Sequence, residues 1–98
     1  MAYKLFVSIR AQNEIEKILD FYNAKSIVAP NLFIENLDEA YKILVLNPHF
    51  EIKYKNVRSL KIKRFPISLY FTINEKRKIV KILSCFHNKQ NPQKRPKK

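Results

Sequence analysis

The residue types that suit phosphodiester chemistry lie in the second half of this chain. His87 can take or give a proton near neutral pH, and Arg58, Lys61 and Lys63 can hold a phosphate, Arg58 through a two-pronged guanidinium. Cleavage of RNA by its own 2′-hydroxyl needs a base, an acid at the departing 5′-oxygen and cations around the crowded phosphorus. Tyr54 or Tyr70 can stack on a base. Each of these residues also has a plainer reading. His87 ends an apolar run, which suits a structural or hydrogen-bonding role, and His49 follows a helix-ending proline as a surface loop residue. Arg58 shares its alternation with Leu60 and Ile62, so it can turn toward the core and pair with a carboxylate. Lys61 and Lys63 alternate with those apolar residues and face outward. Cys85, the single cysteine, reads as packing; it excludes an internal disulfide and a cysteine metal cluster.

These residues need strands to position them. From Val57 to Lys63, apolar β-formers are interleaved with Arg58, Lys61 and Lys63, and Arg64 follows. Phe65-Pro66 hinges into a second strand in which Ile67, Leu69, Phe71 and Ile73 share one face while Ser68, Tyr70 and Thr72 share the other, the alternation of a half-buried strand. Lys78 to Phe86 is apolar on both faces, as an interior strand requires. A further short strand fits Ile52 to Tyr54. The chain has no glycine, so Asn74 and Asn56 are the residues expected to supply left-handed turns.

Upstream, Tyr3 to Val7 reads as a strand and Ser8 as a helix N-cap. The next helix, about Arg10 to Lys25, turns Ala11, Ile15, Ile18, Leu19 and Tyr22 inward and Glu14, Glu16, Lys17 and Asp20 largely outward. A second helix, about Ala29 to Leu46, carries Pro30 in its first turn, a stripe of Phe33, Ile34, Leu37, Ala40, Tyr41 and Leu44, and a stop at Asn47-Pro48. The spacing predicts one α+β domain, β-α-α-β-β-β with an optional fourth late strand. Its N-terminal strand and helical hairpin pack on one face of a small, mainly antiparallel sheet. Residues 1–88 are expected to form that domain, and 89–98, a basic segment without apolar residues, are expected to form a flexible tail.

Charge is segregated. Residues 1–47 carry five basic against six acidic side chains, net −1, and residues 48–98 carry fifteen against two, net +13, for the whole chain's +12. Such a field suits a phosphate backbone or an acidic protein, and the cations are expected on the surface the helices leave free. A hydrophobic content of 46% excludes disorder of the bulk chain, and no apolar run approaches a membrane span of about 20 residues. No signal peptide is evident, so the expected compartment is the cytoplasm, without membrane contact.

Taken in order, Ser8-Ile-Arg-Ala11, Leu46-Asn-Pro48, Asn56-Val-Arg-Ser-Leu60, Arg64-Phe-Pro66 before an aromatic-rich strand, and Phe86-His-Asn-Lys-Gln-Asn-Pro92 resemble the RelE/ParE toxins of bacterial type II toxin–antitoxin systems. The similarity covers roughly residues 3–92 and is greater to the ParE, or plasmid-stabilisation, branch. It implies a growth-inhibiting toxin in a hetero-oligomer with a cognate antitoxin that neutralises it, and it implies no cofactor and no metal. ParE-like members inhibit DNA gyrase by binding, whereas RelE-like members cut mRNA on the ribosome. In RNA-cutting members an arginine commonly stands at or beside the position of Ser68, and here it is missing. The resemblance therefore favours a non-catalytic inhibitor, with a ribosome-dependent mRNA endoribonuclease as the alternative. The expected contact residues are Tyr54, Arg58, Lys61, Lys63, Arg64, His87 and Lys89; an endoribonuclease would draw its catalytic set from His87, Arg58, Lys61 and Lys63.

Overall fold

In the computed structural model, which describes residues 2–87, the chain runs β1 (Lys4–Val7), α1 (Ile9–Lys25), α2 (Ala29–Leu46), β2 (Ile52–Tyr54), β3 (Val57–Lys61), β4 (Ile67–Asn74) and β5 (Ile79–His87). The α+β expectation holds, with the optional fourth late strand present as β2. The sheet order is β1-β5-β4-β3-β2, antiparallel throughout except for β1, which runs parallel to β5. Both helices cover one face. None is long and apolar enough to cross a membrane. Lys89 and the 89–98 segment lie outside the described residues.

Ser8 is placed to do two things. Its Oγ accepts from Ala11 N at 3.1 Å, capping α1, and donates to Leu83 O at 3.0 Å. Leu83 is the residue β5 inserts where its register with β4 shifts, between the pairs Tyr70↔Ser84 and Phe71↔Ile82. The bulge reverses which side chains face the helices: Val80 and Ile82 do so before it, and Cys85 after it. Ala11, Phe33, Leu44, Leu69, Phe71 and Ile82 are wholly buried in the resulting core. At the hairpin tip, Phe65 meets Tyr22 and Phe33 edge-to-face, with ring centroids 5.2 and 5.3 Å apart, so the turn after β3 is clamped onto the helices.

Four expectations need correction. Glu14 does not face outward; its carboxylate reaches the sheet and accepts from Cys85 N at 2.9 Å, because the bulged strand offers α1 an amide there. Ile34 lies off the buried stripe and is about half exposed, since Phe33 and Leu37 already fill that side. β3 stops at Lys61, where the chain enters a turn closed by Ile62 N to Ile67 O at 2.8 Å. The left-handed positions belong to Lys55, Arg64 and Lys78, not to asparagines, because Asn74 instead uses its side chain to accept from Arg77 N at 3.1 Å.

His49 is also more than a surface loop residue. Glu75 accepts from Tyr3 OH at 2.8 Å, meets His49 Nε2 at 2.6 Å, and lies 3.6 Å from Lys78 Nζ, tying β1, the segment after α2 and the β4–β5 turn together. The His49 and Tyr3 hydrogen bonds hold the Glu75 carboxyl below its usual range. The lowered value means that the unfolded chain binds more protons in acid. The stabilisation is therefore present above the ordinary glutamate range and is lost as pH falls through the lowered folded value. Urea midpoints for wild type and Glu75→Gln are expected to converge as the pH is taken from 7 to 3.5. Tyr3 shows the opposite flank: donating to Glu75 raises its hydroxyl above 10, so that contribution disappears only at strongly alkaline pH.

Candidate functional site

The helix-free face of the sheet has a small apolar patch at its centre. Val57, Tyr70 and Phe86 are buried there, with Leu83 packed against them, and the Tyr70 and Phe86 rings stack at 4.7 Å and 21°. β4 is therefore covered on both faces along most of its length, not half-buried, and Tyr70, 7% exposed, is not available to stack on a base. Tyr54, on the edge strand, is 42% exposed with Lys55 Nζ 5.6 Å from its ring centroid.

Beside this patch lies a groove of about 610 Å³ lined by Lys53, Ser59, Lys61, Ser68 and Tyr70, among others. Register explains the grouping. Lys61 pairs with Ser68, which pairs with Phe86, and Ser59 pairs with Tyr70, so all five side chains leave the same face. Both lysines are exposed; Lys53 Nζ sits 3.2 Å from Glu51 and Lys61 Nζ 3.5 Å from Ile62 O. Lys53 was not among the residues singled out from sequence, because the side of a three-residue edge strand with a register shift cannot be read from its residue types.

The other candidates lie elsewhere. Arg58 is on the helix side and donates from Nη1 to the Phe50 carbonyl at 2.7 Å, so it holds the segment entering β2 where a carboxylate partner was expected. Lys63 and Arg64 are exposed in the turn between β3 and β4. His87 pairs with Ile67 and faces α1, lining a second cleft of about 510 Å³ with Arg10, Glu14, Lys17, Phe21 and Cys85. Glu14 Oε2 meets Arg10 Nε there at 3.4 Å. Burial, with the nearby Glu14 charge, pushes the Cys85 thiol up to about 12, which keeps it protonated and poorly nucleophilic.

His87 and Lys61 thus stand on opposite faces of the sheet. Arg58 shares the helix-facing side with His87 but pairs with Phe71, four residues along β4 from Ile67, or ~13 Å at the rise of a strand. The structure does not bring the four residues of the hypothetical cleavage set around one phosphate. Among the described residues no cluster of three metal-ligating side chains occurs.

One polar atom in this region is unsatisfied. Ser84, fully buried opposite Tyr70, has no hydrogen-bond partner for its Oγ. Ser84→Ala is expected to raise stability by about 1 kcal/mol, seen as a higher urea midpoint at unchanged slope.

No protein-family model and no curated protein matches the sequence. Solved structures do match. The chromosomal ParDE toxin–antitoxin system of Pseudomonas aeruginosa superposes with TM-score 0.69 at 22% identity, over 88% of this chain and 96% of that one. A RelBE toxin–antitoxin complex of Mycobacterium tuberculosis gives 0.66 at 16%, over 89% and 99%. A mutant of the Escherichia coli toxin RelE in its free state gives 0.64 at 17%, over 91% and 86%. The superpositions cover nearly all of both chains in each case, and the chain has the fold of the RelE/ParE toxins.

Proposed function

We propose that this protein is the toxin of a type II toxin–antitoxin pair, which arrests growth by binding an essential target and is neutralised by a cognate antitoxin. In the ParE-like form of this reading the target is DNA gyrase, and no bond is broken by the toxin. The observation that carries the non-catalytic reading is the separation of His87 from Lys61 across the sheet. A proton-transfer group must come within about 3 Å of the atom it serves, directly or through one water, and this one faces the helices. The open face carries two exposed lysines and two serines around an aromatic patch, which supports a reading by binding. Ser68, at or beside the position where RNA-cutting members of the family commonly carry arginine, is nearly buried beneath it.

Three measurements test this. Induction without antitoxin is expected to stop growth; continued growth would mean a fold retained only for partnering. Purified protein is expected to inhibit supercoiling by gyrase, and uninhibited supercoiling would remove that target. Primer extension on mRNA from induced cells is expected to show no codon-linked cuts, whereas such cuts would restore the endoribonuclease.

A further inference from the structure

The opposite end of the open face carries a second feature that the toxin reading does not use. Phe6 of β1 stands on that face 56% exposed, in a groove of about 660 Å³ that it lines with Lys81, Thr72, Asn74, Lys76 and Arg77, among others. Register places them together: Phe6 pairs with Lys81, which pairs with Thr72. Lys81 Nζ lies 5.9 Å from the centroid of the Phe6 ring. The one acid lining the groove, Glu75, is already engaged by Tyr3, His49 and Lys78, which leaves Lys76, Arg77 and Lys81 as the surplus charge.

We propose that this groove is a binding site for single-stranded nucleic acid, in which one base stacks on Phe6 while Lys81, Lys76 and Arg77 hold the adjoining phosphates. An exposed ring amid cations is the arrangement such sites use, since every base offers a π-face and the backbone supplies the negative charge. Thr72 adds a hydroxyl that both donates and accepts, and Asn74, whose side-chain oxygen accepts from Arg77 N, adds an amide donor. A duplex does not fit the same description, because its bases are already stacked on one another. An acidic peptide would satisfy the cations but leave the ring's flat face unmatched. The site is distinct from the Lys53–Lys61 groove, and its existence does not depend on the protein being a toxin.

The test is fluorescence anisotropy with the full chain and a labelled twelve-nucleotide oligo(U) or oligo(dT), run beside a duplex of equal length and an oligoglutamate of equal charge. The chain's net charge of +12 will bind any polyanion to some extent, so the ring decides the outcome. Phe6→Ala is expected to weaken single-strand binding about tenfold without changing the salt slope, and Phe6→Tyr to restore it. Lys81→Gln is expected to lower the salt slope by about 0.7. Circular dichroism checks that each variant folds. The proposal is overturned if Phe6→Ala binds the single strand as wild type does, if the duplex loses as much, if oligoglutamate proves the Phe6-dependent ligand, or if no oligonucleotide binds.

Discussion

Phe71→Ala is expected to cost about 3–5 kcal/mol, the range for emptying a fully buried aromatic site. Phe71 has no exposed surface, sits on a strand flanked on both sides, and pairs with Arg58 and Ile82 at the point where the β5 register shifts. A domain of this size has on the order of 5–15 kcal/mol in total, so the loss takes at least about a fifth of it. The melting temperature should fall by about 12–40 °C, using about 4–8 °C per kcal/mol for a domain of under about 100 residues. A drop of less than about 5 °C would mean that the helix-facing core is not packed as described. Phe6→Ala, at an exposed position, should change stability by no more than about 0.5 kcal/mol and so serves as the matched aromatic control.

The second large effect concerns the proposed target-binding groove. Lys53→Glu combined with Lys61→Glu should weaken target binding at least about a hundredfold, because like charges brought together at an interface cost several kcal/mol. Both side chains are exposed, so thermal stability should hardly move. Cells producing the double variant are expected to grow through induction, while cells producing His87→Ala arrest as wild type does. Arrest with the double variant would take the working surface away from the Lys53–Lys61 groove, and relief by His87→Ala alone would place it on the helix side of the sheet.

Local chemistry was legible in the sequence and face assignment near irregularities was not. Ser8 as a cap, Pro30 in a first turn and Asn47-Pro48 as a stop depend on a few neighbouring residues, and the structure has all three. The odd-numbered apolar face of β4 also follows directly from alternation. His87 shows where that counting stops. Stepping by two from Ile82 would put Ser84 and Phe86 toward the helices and His87 on the open face beside the lysines. The extra residue at Leu83 exchanges the two sides, and its partner is the hydroxyl of Ser8, 75 positions earlier. Nothing local to β5 announces it. Glu14 was misplaced for the same reason, since the Cys85 amide it accepts from is aimed by that bulge. Tyr70 looked solvent-facing because its neighbours Ser68 and Thr72 are polar, but Val57 and Phe86, from two other strands, cover it.

The tight bends of this glycine-free chain have a practical consequence. Lys55, Arg64 and Lys78 hold φ values of 51°, 72° and 54°, a conformation that costs a side-chain-bearing residue about 1–2 kcal/mol. Ordinary neutralising swaps such as lysine to glutamine keep that penalty and discard the charge. Glycine at the same positions relieves it while adding about 0.5–1 kcal/mol of chain entropy to the cost of folding, so each site should gain between nothing and about 1.5 kcal/mol. A triple glycine variant should therefore keep or raise its heat stability while migrating as a protein three positive charges poorer, separating the electrostatics of these corners from their geometry.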